Sequence, residues 1–107
     1  MRTNVLSYFL EGALQSCPDK VAVIDGEKAV SFEQLQARAW QIAAAITDSV
    51  AEVNQPIAVY LPKSSDTIAA DLGIMATGNI YTNLDIKSPP QRLANILAHI
   101  QPRLVLT

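Results

Sequence analysis

From Pro56 to Thr107 the chain alternates three apolar runs with two stretches of helix length. The runs are Ile57-Ala58-Val59-Tyr60-Leu61, Ile80-Tyr81-Thr82-Asn83-Leu84 and Leu104-Val105-Leu106-Thr107. Between them lie Ser64 to Thr77 and Pro89 to Gln101, both rich in Leu, Ile and Ala. A strand joined to the next by a helix-length crossover must run parallel to it, because the helix carries the chain back. The stretch therefore predicts a parallel βαβαβ unit and an α/β fold.

Working outward, the body of the first of these helical stretches, Ile68 to Ala76, is apolar nearly all round, which predicts burial on most sides. Gly73 within it is expected to let a neighbouring element approach closely, and Gly78 to take the left-handed position just past its end. Ser88-Pro89-Pro90-Gln91 has the pattern of a capping box with Pro89 at the first helical position. Leu93, Ile96, Leu97 and Ile100 then form the buried face, and Pro102 ends the helix.

Upstream, Asn4 is placed to cap a first helix whose stripe is Val5, Leu6, Phe9, Leu10, Ala13 and Leu14; Pro18 stops it. Val21-Ala22-Val23-Ile24 and Lys28-Ala29-Val30 flank Asp25-Gly26-Glu27, a hairpin signal, because glycine accepts the positive φ of a tight turn. Ser31-Phe32-Glu33-Gln34 reads as a capping box opening a long helix. Its stripe is Phe32, Leu35, Ala39, Trp40, Ile42, Ala43 and Ile46, and at that spacing Trp40 is read as core. Asp48 to Gln55 reads as a polar connection.

The composition sets limits. Half of the 107 residues are hydrophobic and 17% are charged, below the roughly 25% of ordinary globular chains. That deficit points to surface covered by something outside the chain. Residues 1–53 carry four basic and seven acidic groups, giving −3; residues 54–107 carry four and three, giving +1. There is no Lys/Arg cluster to suit nucleic acid or an anionic membrane. No apolar run approaches the ~20 residues of a membrane span, and the N-terminus lacks a signal-peptide pattern. The single Cys17 fits a reducing compartment, so a cytoplasmic location is expected.

Candidates for chemistry are few. Lys63-Ser64-Ser65 lies between a strand end and a helix start, where α/β sheets bind ligands and helix termini favour anions. Without a Gly-rich loop, a capped helix with an exposed lysine is the expected reading. Asp85, past the second strand, suits a ribose hydroxyl or a metal, but without an acidic partner a loop contact is favoured. His99, the sole histidine, sits in the last turn of a helix; neither it nor Cys17 has the neighbours of a catalytic group. No catalytic, cofactor-binding or metal-binding residue is assigned.

Met75-Ala76-Thr77-Gly78-Asn79-Ile80-Tyr81-Thr82-Asn83-Leu84-Asp85, followed by Pro90, Arg92 and Leu93, resembles a core motif of the adenylate-forming enzymes, most closely the amino-acid adenylation domains of nonribosomal peptide synthetases. Gly78, Tyr81, Leu84, Asp85, Pro90, Arg92 and Leu93 match, whereas Asn83 and Ile86 stand where prolines are usual. Pro18-Asp19-Lys20-Val21-Ala22-Val23, Val30-Ser31-Phe32-Glu33-Gln34-Leu35, Val59 to Ser64 and Gln101 to Thr107 resemble further family stretches in the family's order.

The resemblance implies an ATP-dependent, AMP-forming ligase using Mg²⁺, which converts a carboxylate, most simply an amino acid, into an acyl-adenylate. The acyl group then passes to a thiol, a carrier's phosphopantetheine arm or coenzyme A. It also implies that residues 1–107 are one incomplete domain, part of the N-terminal subdomain. The family's Pro-Lys-Gly phosphate loop, acidic ligands and C-terminal lysine would follow Thr107. The apolar strand at Thr107 agrees with a chain continuing beyond it. Alone, the segment is expected to be inactive, to bind neither ATP nor Mg²⁺, and to self-associate through uncovered apolar surface. An acyl-CoA synthetase of the same superfamily and a non-enzymatic nucleotide-binding or protein-interaction module are the alternatives.

Overall fold

A computed structural model describes residues 5–107; the expected Asn4 cap lies outside them. The first helix, α1, comprises α-helical Val5–Tyr8, a π-type turn Phe9–Ala13 and α-helical Leu14–Ser16. Then come β1 (Val21–Asp25), β2 (Lys28–Ser31), α2 (Phe32–Ser49), β3 (Pro56–Val59), α3 (Ser65–Ala76), β4 (Ile80–Asn83), α4 (Pro90–Ile100) and β5 (Leu104–Leu106).

β1 and β2 form the antiparallel hairpin, with Val23 opposite Val30, Asp25 opposite Lys28 and an irregularity between Val21 and Val23. Gly26 takes φ +62° as the first residue of the turn, the conformation a glycine supplies without a Cβ clash. Ser31 then caps α2: its Oγ accepts from Gln34 N–H at 3.1 Å, and Ser31 N–H donates to Gln34 Oε1 at 3.0 Å. Two orphan donors are satisfied by one local sequence pattern.

β3, β4 and β5 are parallel in the order β4-β3-β5, with Ile57 facing Tyr81 on one side and Leu104 on the other. The expected βαβαβ unit is therefore present, with its first strand at the centre. Since β4 and β5 flank β3, the second crossover carries the chain back across the sheet in the direction opposite to the first. Ile57, Ala58 and Val59 are all buried, as befits a central strand covered on both faces.

Two apolar clusters hold the layers together. Phe9, Val30, Leu35, Ala39, Ala69 and Leu72 join α1, the hairpin, α2 and α3, with Leu6, Leu10 and Leu14 packed against them. The Phe9 and Phe32 rings meet at 6.1 Å in a tilted arrangement. Ile46, Val50, Ile57, Val59, Ala70 and Ile74 join α2 and α3 to the sheet, with Leu104 and Leu106 beside them.

The α2–α3 contact turns on Gly73. A Cβ there would lie 2.7 Å from Ala39 O and 3.3 Å from Ala43 N, so the helix backbones approach as only glycine permits. At the end of α3, Gly78 N–H donates to Met75 O and Asn79 N–H to Ile74 O, with Gly78 at φ +79°. Those two bonds and the left-handed glycine define a Schellman motif. Buried Asn79 is fully engaged, its Oδ1 accepting from Gln55 N–H and its Nδ2 donating to Thr77 Oγ1.

Four local expectations are corrected. Trp40 is 37% exposed, because the buried line of α2 runs through Leu35, Ala39 and Ile46 and leaves Trp40 at its rim. The capping box expected at Ser88 does not form: α4 begins one residue later, with Pro89 as its cap residue and Pro90 first in the helix, and no side chain caps it. Gln91, expected to close that box, instead donates from Nε2 to Asn95 Oδ1 at 3.0 Å, one helical turn on. The α4 stripe of Leu93, Ile96, Leu97 and Ile100 is half-buried rather than buried, since little of the described chain packs against this helix. Finally, β3 closes at Val59 rather than Leu61, because the chain turns out of the sheet toward α3, although Tyr60 N–H still donates to Leu106 O at 2.8 Å.

Candidate functional site

The carboxyl ends of β3 and β4 open into a cavity of about 620 Å³, within the size range of small-molecule sites. Its apolar wall includes Val59, Leu61, Leu84 and Ile86, and its polar rim Lys63, Thr67, Asn83, Asp85 and Lys87. Parallel strands end together here because α3 returns the chain to the same edge. Leu84 N–H donates to Val59 O at 2.8 Å, which holds the two loops side by side where the strands stop.

Most polar groups around the cavity are already engaged. Thr67 Oγ1 donates to Pro62 O at 2.8 Å, which fixes the loop entering α3. Asn83 Nδ2 donates to Asp71 Oδ2 at 2.9 Å and ties β4 to α3. Asp85 Oδ1 accepts from Lys87 N–H at 2.9 Å, so the carboxylate closes its own loop. That is the loop contact favoured for Asp85 from sequence, made as an Asx turn. Asp71 Oδ1 is shielded and has no partner, and burial of the side chain raises its pKa, with the Asn83 hydrogen bond opposing.

The N-terminus of α3 is also filled, though not as its sequence suggests. Ser64 makes no side-chain cap. Asp25 of the hairpin supplies the acceptor instead: Ser65 N–H and Ser65 Oγ–H both donate to Asp25 Oδ2, at 3.1 and 3.3 Å. A carboxylate at this end also complements the helix dipole. The anion reading of Lys63-Ser64-Ser65 thus finds its helix terminus occupied by a group of the chain itself, while Lys63 stays exposed.

Of the residues singled out in the sequence, the cavity brings together Lys63 and Asp85. Exposed His99 lies in the last turn of α4, and half-buried Cys17 follows α1; neither lines the cavity. Thr67, Asn83 and Lys87 are lining residues that sequence reasoning misses. The available signal for Lys87 is its place two residues beyond Asp85, within the turn that Asp85 closes. The cavity lining holds no histidine or cysteine, and its one hydroxyl, that of Thr67, is engaged by Pro62 O.

Nor does it fit Mg²⁺. Asp85 is the sole carboxylate lining the cavity and two lysines flank it, whereas Mg²⁺ takes oxygen ligands in near-octahedral geometry. Among the described residues no three His, Cys, Asp or Glu side chains gather as a metal site.

Comparison with known proteins identifies the class. The chain belongs to the AMP-binding enzyme family, which it matches over residues 10–107. It is 32% identical over 92 residues to D-lysergyl-peptide-synthetase subunit 1 of Claviceps purpurea, covering 86% of this chain and 3% of that protein. To tyrocidine synthase 1 of Brevibacillus parabrevis it is 29% identical, covering 91% of this chain and 9% of that protein. The N-terminal subdomain of Klebsiella oxytoca NpsA has the same fold, with a TM-score of 0.89 at 20% identity, covering 99% of this chain and 28% of that one. The chain thus spans a small fraction of the length of these relatives. Recognition of the adenylate-forming family from residues 75–93 holds, as does the α/β fold it implies.

Proposed function

We propose that residues 1–107 form part of the N-terminal scaffold of an ATP-dependent, AMP-forming ligase that activates an amino acid as its acyl-adenylate. The observation that carries this reading is the family match across residues 10–107. The likeness to peptide synthetases supports an amino acid as the carboxylate and a carrier's phosphopantetheine thiol as the acceptor. Replacing a carboxylate oxygen by AMP creates a good leaving group, and the reaction needs donors that neutralise phosphate charge. This chain contributes the sheet on which such donors are mounted and is inactive alone. Its partners are the remainder of the ligase chain and the carrier protein, in the cytoplasm. No helix of the described residues is long and apolar enough to cross a membrane.

Two measurements test the proposal. Sequencing the transcript past the codon for Thr107 should reveal a Ser/Thr/Gly-rich loop ending Pro-Lys-Gly; a stop codon directly after Thr107 would overturn the reading. Amino-acid-dependent ATP–pyrophosphate exchange should appear in the polypeptide carrying that loop. Exchange by the clean 107-residue chain would contradict the scaffold assignment.

A further inference from the structure

The cavity at the carboxyl ends of β3 and β4 has two polar groups that no other described residue engages. Thr67, Asn83 and Asp85 are each held by hydrogen bonds within the fold. The ion pairs among the described residues are Arg38 with Asp66 and Arg103 with Glu52, so the Lys63 and Lys87 ammonium groups have no acidic partner there. With Asp85 the sole carboxylate of the lining and its Oδ1 committed to the loop, the cavity carries two positive charges against one negative. Its wall is apolar, and Ile86 stays 38% exposed at the rim. At the nearby helix terminus the Ser65 N–H and Oγ–H are already taken by Asp25.

We propose that this cavity binds a small amphiphilic oxyanion, its head between Lys63 and Lys87 and its apolar stem against Leu61, Leu84 and Ile86. Both halves of the ligand follow from the lining. Two ammonium groups favour a carboxylate or phosphate through charge-assisted hydrogen bonds. The apolar wall gains by covering a hydrocarbon stem and excluding water. The assignment concerns binding alone and does not rest on the ligase reading.

Lysine-acylation footprinting of the intact chain, read by mass spectrometry, tests it residue by residue. Hexanoate and hexyl phosphate are the probes, with hexanol and acetate as controls that each lack one half of the ligand. At least one of the two probes should slow acylation of Lys63 and Lys87 saturably while leaving Lys28 unchanged. Lys87→Met should weaken protection of Lys63 roughly three- to tenfold, the loss expected for one partly exposed charge-assisted contact. Both lysines are exposed, so the substitution leaves the core intact. Absence of protection, equal protection at Lys28, equal protection by hexanol or acetate, or an unaltered response in Lys87→Met overturns the proposal.

Discussion

Gly73 is the residue at which packing is least forgiving. Its missing Cβ lets α3 lie against the Ala39 and Ala43 backbone, and a backbone atom cannot rotate away as a side chain can. Gly73→Ala should therefore cost about 1–3 kcal/mol, the range for forced overpacking, and lower the urea midpoint with an unchanged slope. Gly12, where an added Cβ would meet nothing within 4 Å, should accept alanine without steric cost. Equal midpoints for the two variants would show that α2 and α3 are not locked at Gly73.

Asp71 gives a pH dependence of defined sign. Burial raises its folded pKa above the unfolded value, more than the Asn83 hydrogen bond lowers it. A raised carboxyl pKa means that the folded state holds the proton more tightly. Its contribution is therefore fully present below the unfolded pKa and is lost as pH rises through the folded one. Asp71→Asn keeps an acceptor for Asn83 and replaces the shielded, unpartnered Oδ1 by a neutral group. The variant should gain stability relative to the parent as pH rises from about 4 to 7, a small gain since the side chain is only partly buried. Urea midpoints across that range would show a constant difference if Asp71 were unperturbed.

At the scale of elements, the hairpin and α3 depend on one carboxylate. Asp25→Ala removes the acceptor shared by Ser65 N–H and Oγ–H and should cost about 1 kcal/mol, as lost helix caps do. Asp25→Asn keeps an acceptor and should cost less. Thermal melts of both variants decide the point, since equal losses would place the stabilisation in charge alone. This cap also marks where sequence reading stops. The Ser31–Gln34 box is legible because both partners lie within one turn, and the Asp25-Gly26 turn because glycine's φ is a local property. Asp25 and Ser65 are 40 residues apart, and only the packed hairpin brings them together. Trp40 escapes its pattern for a related reason: spacing reports which residues share a helix face, but neighbouring elements decide how wide a strip of it they cover. In the cavity, Lys63 and Asp85 can be placed from strand ends, whereas Thr67 and Asn83 acquire their roles only through contacts across the fold.

For the whole molecule, the decisive feature is that β4 and β5 are both edges of a three-stranded parallel sheet. Parallel sheets are normally covered and extended on both sides, and an open edge offers unpaired N–H and C=O groups to any other strand. Here β4 adds exposed apolar side chains to that edge, Ile80 at 52% and Tyr81 at 42%, with no charged residue in the strand to deter pairing. The same chain carries few charges overall and a net charge of only −2, so long-range repulsion does little to keep copies apart. The isolated chain should consequently self-associate, its weight-average mass in sedimentation equilibrium rising with concentration. Ile80→Lys should shift that equilibrium toward monomer, because a lysine on an edge strand must be desolvated when a second strand docks. Ile80 is more than half exposed, so the substitution leaves the fold intact, which a far-UV spectrum matching the parent's would establish. A parent chain that stays monomeric at every concentration would mean that the edge is protected by its twist or shortness. Association unchanged by Ile80→Lys would move the contact to the other edge, where Val105 is the exposed apolar residue of β5.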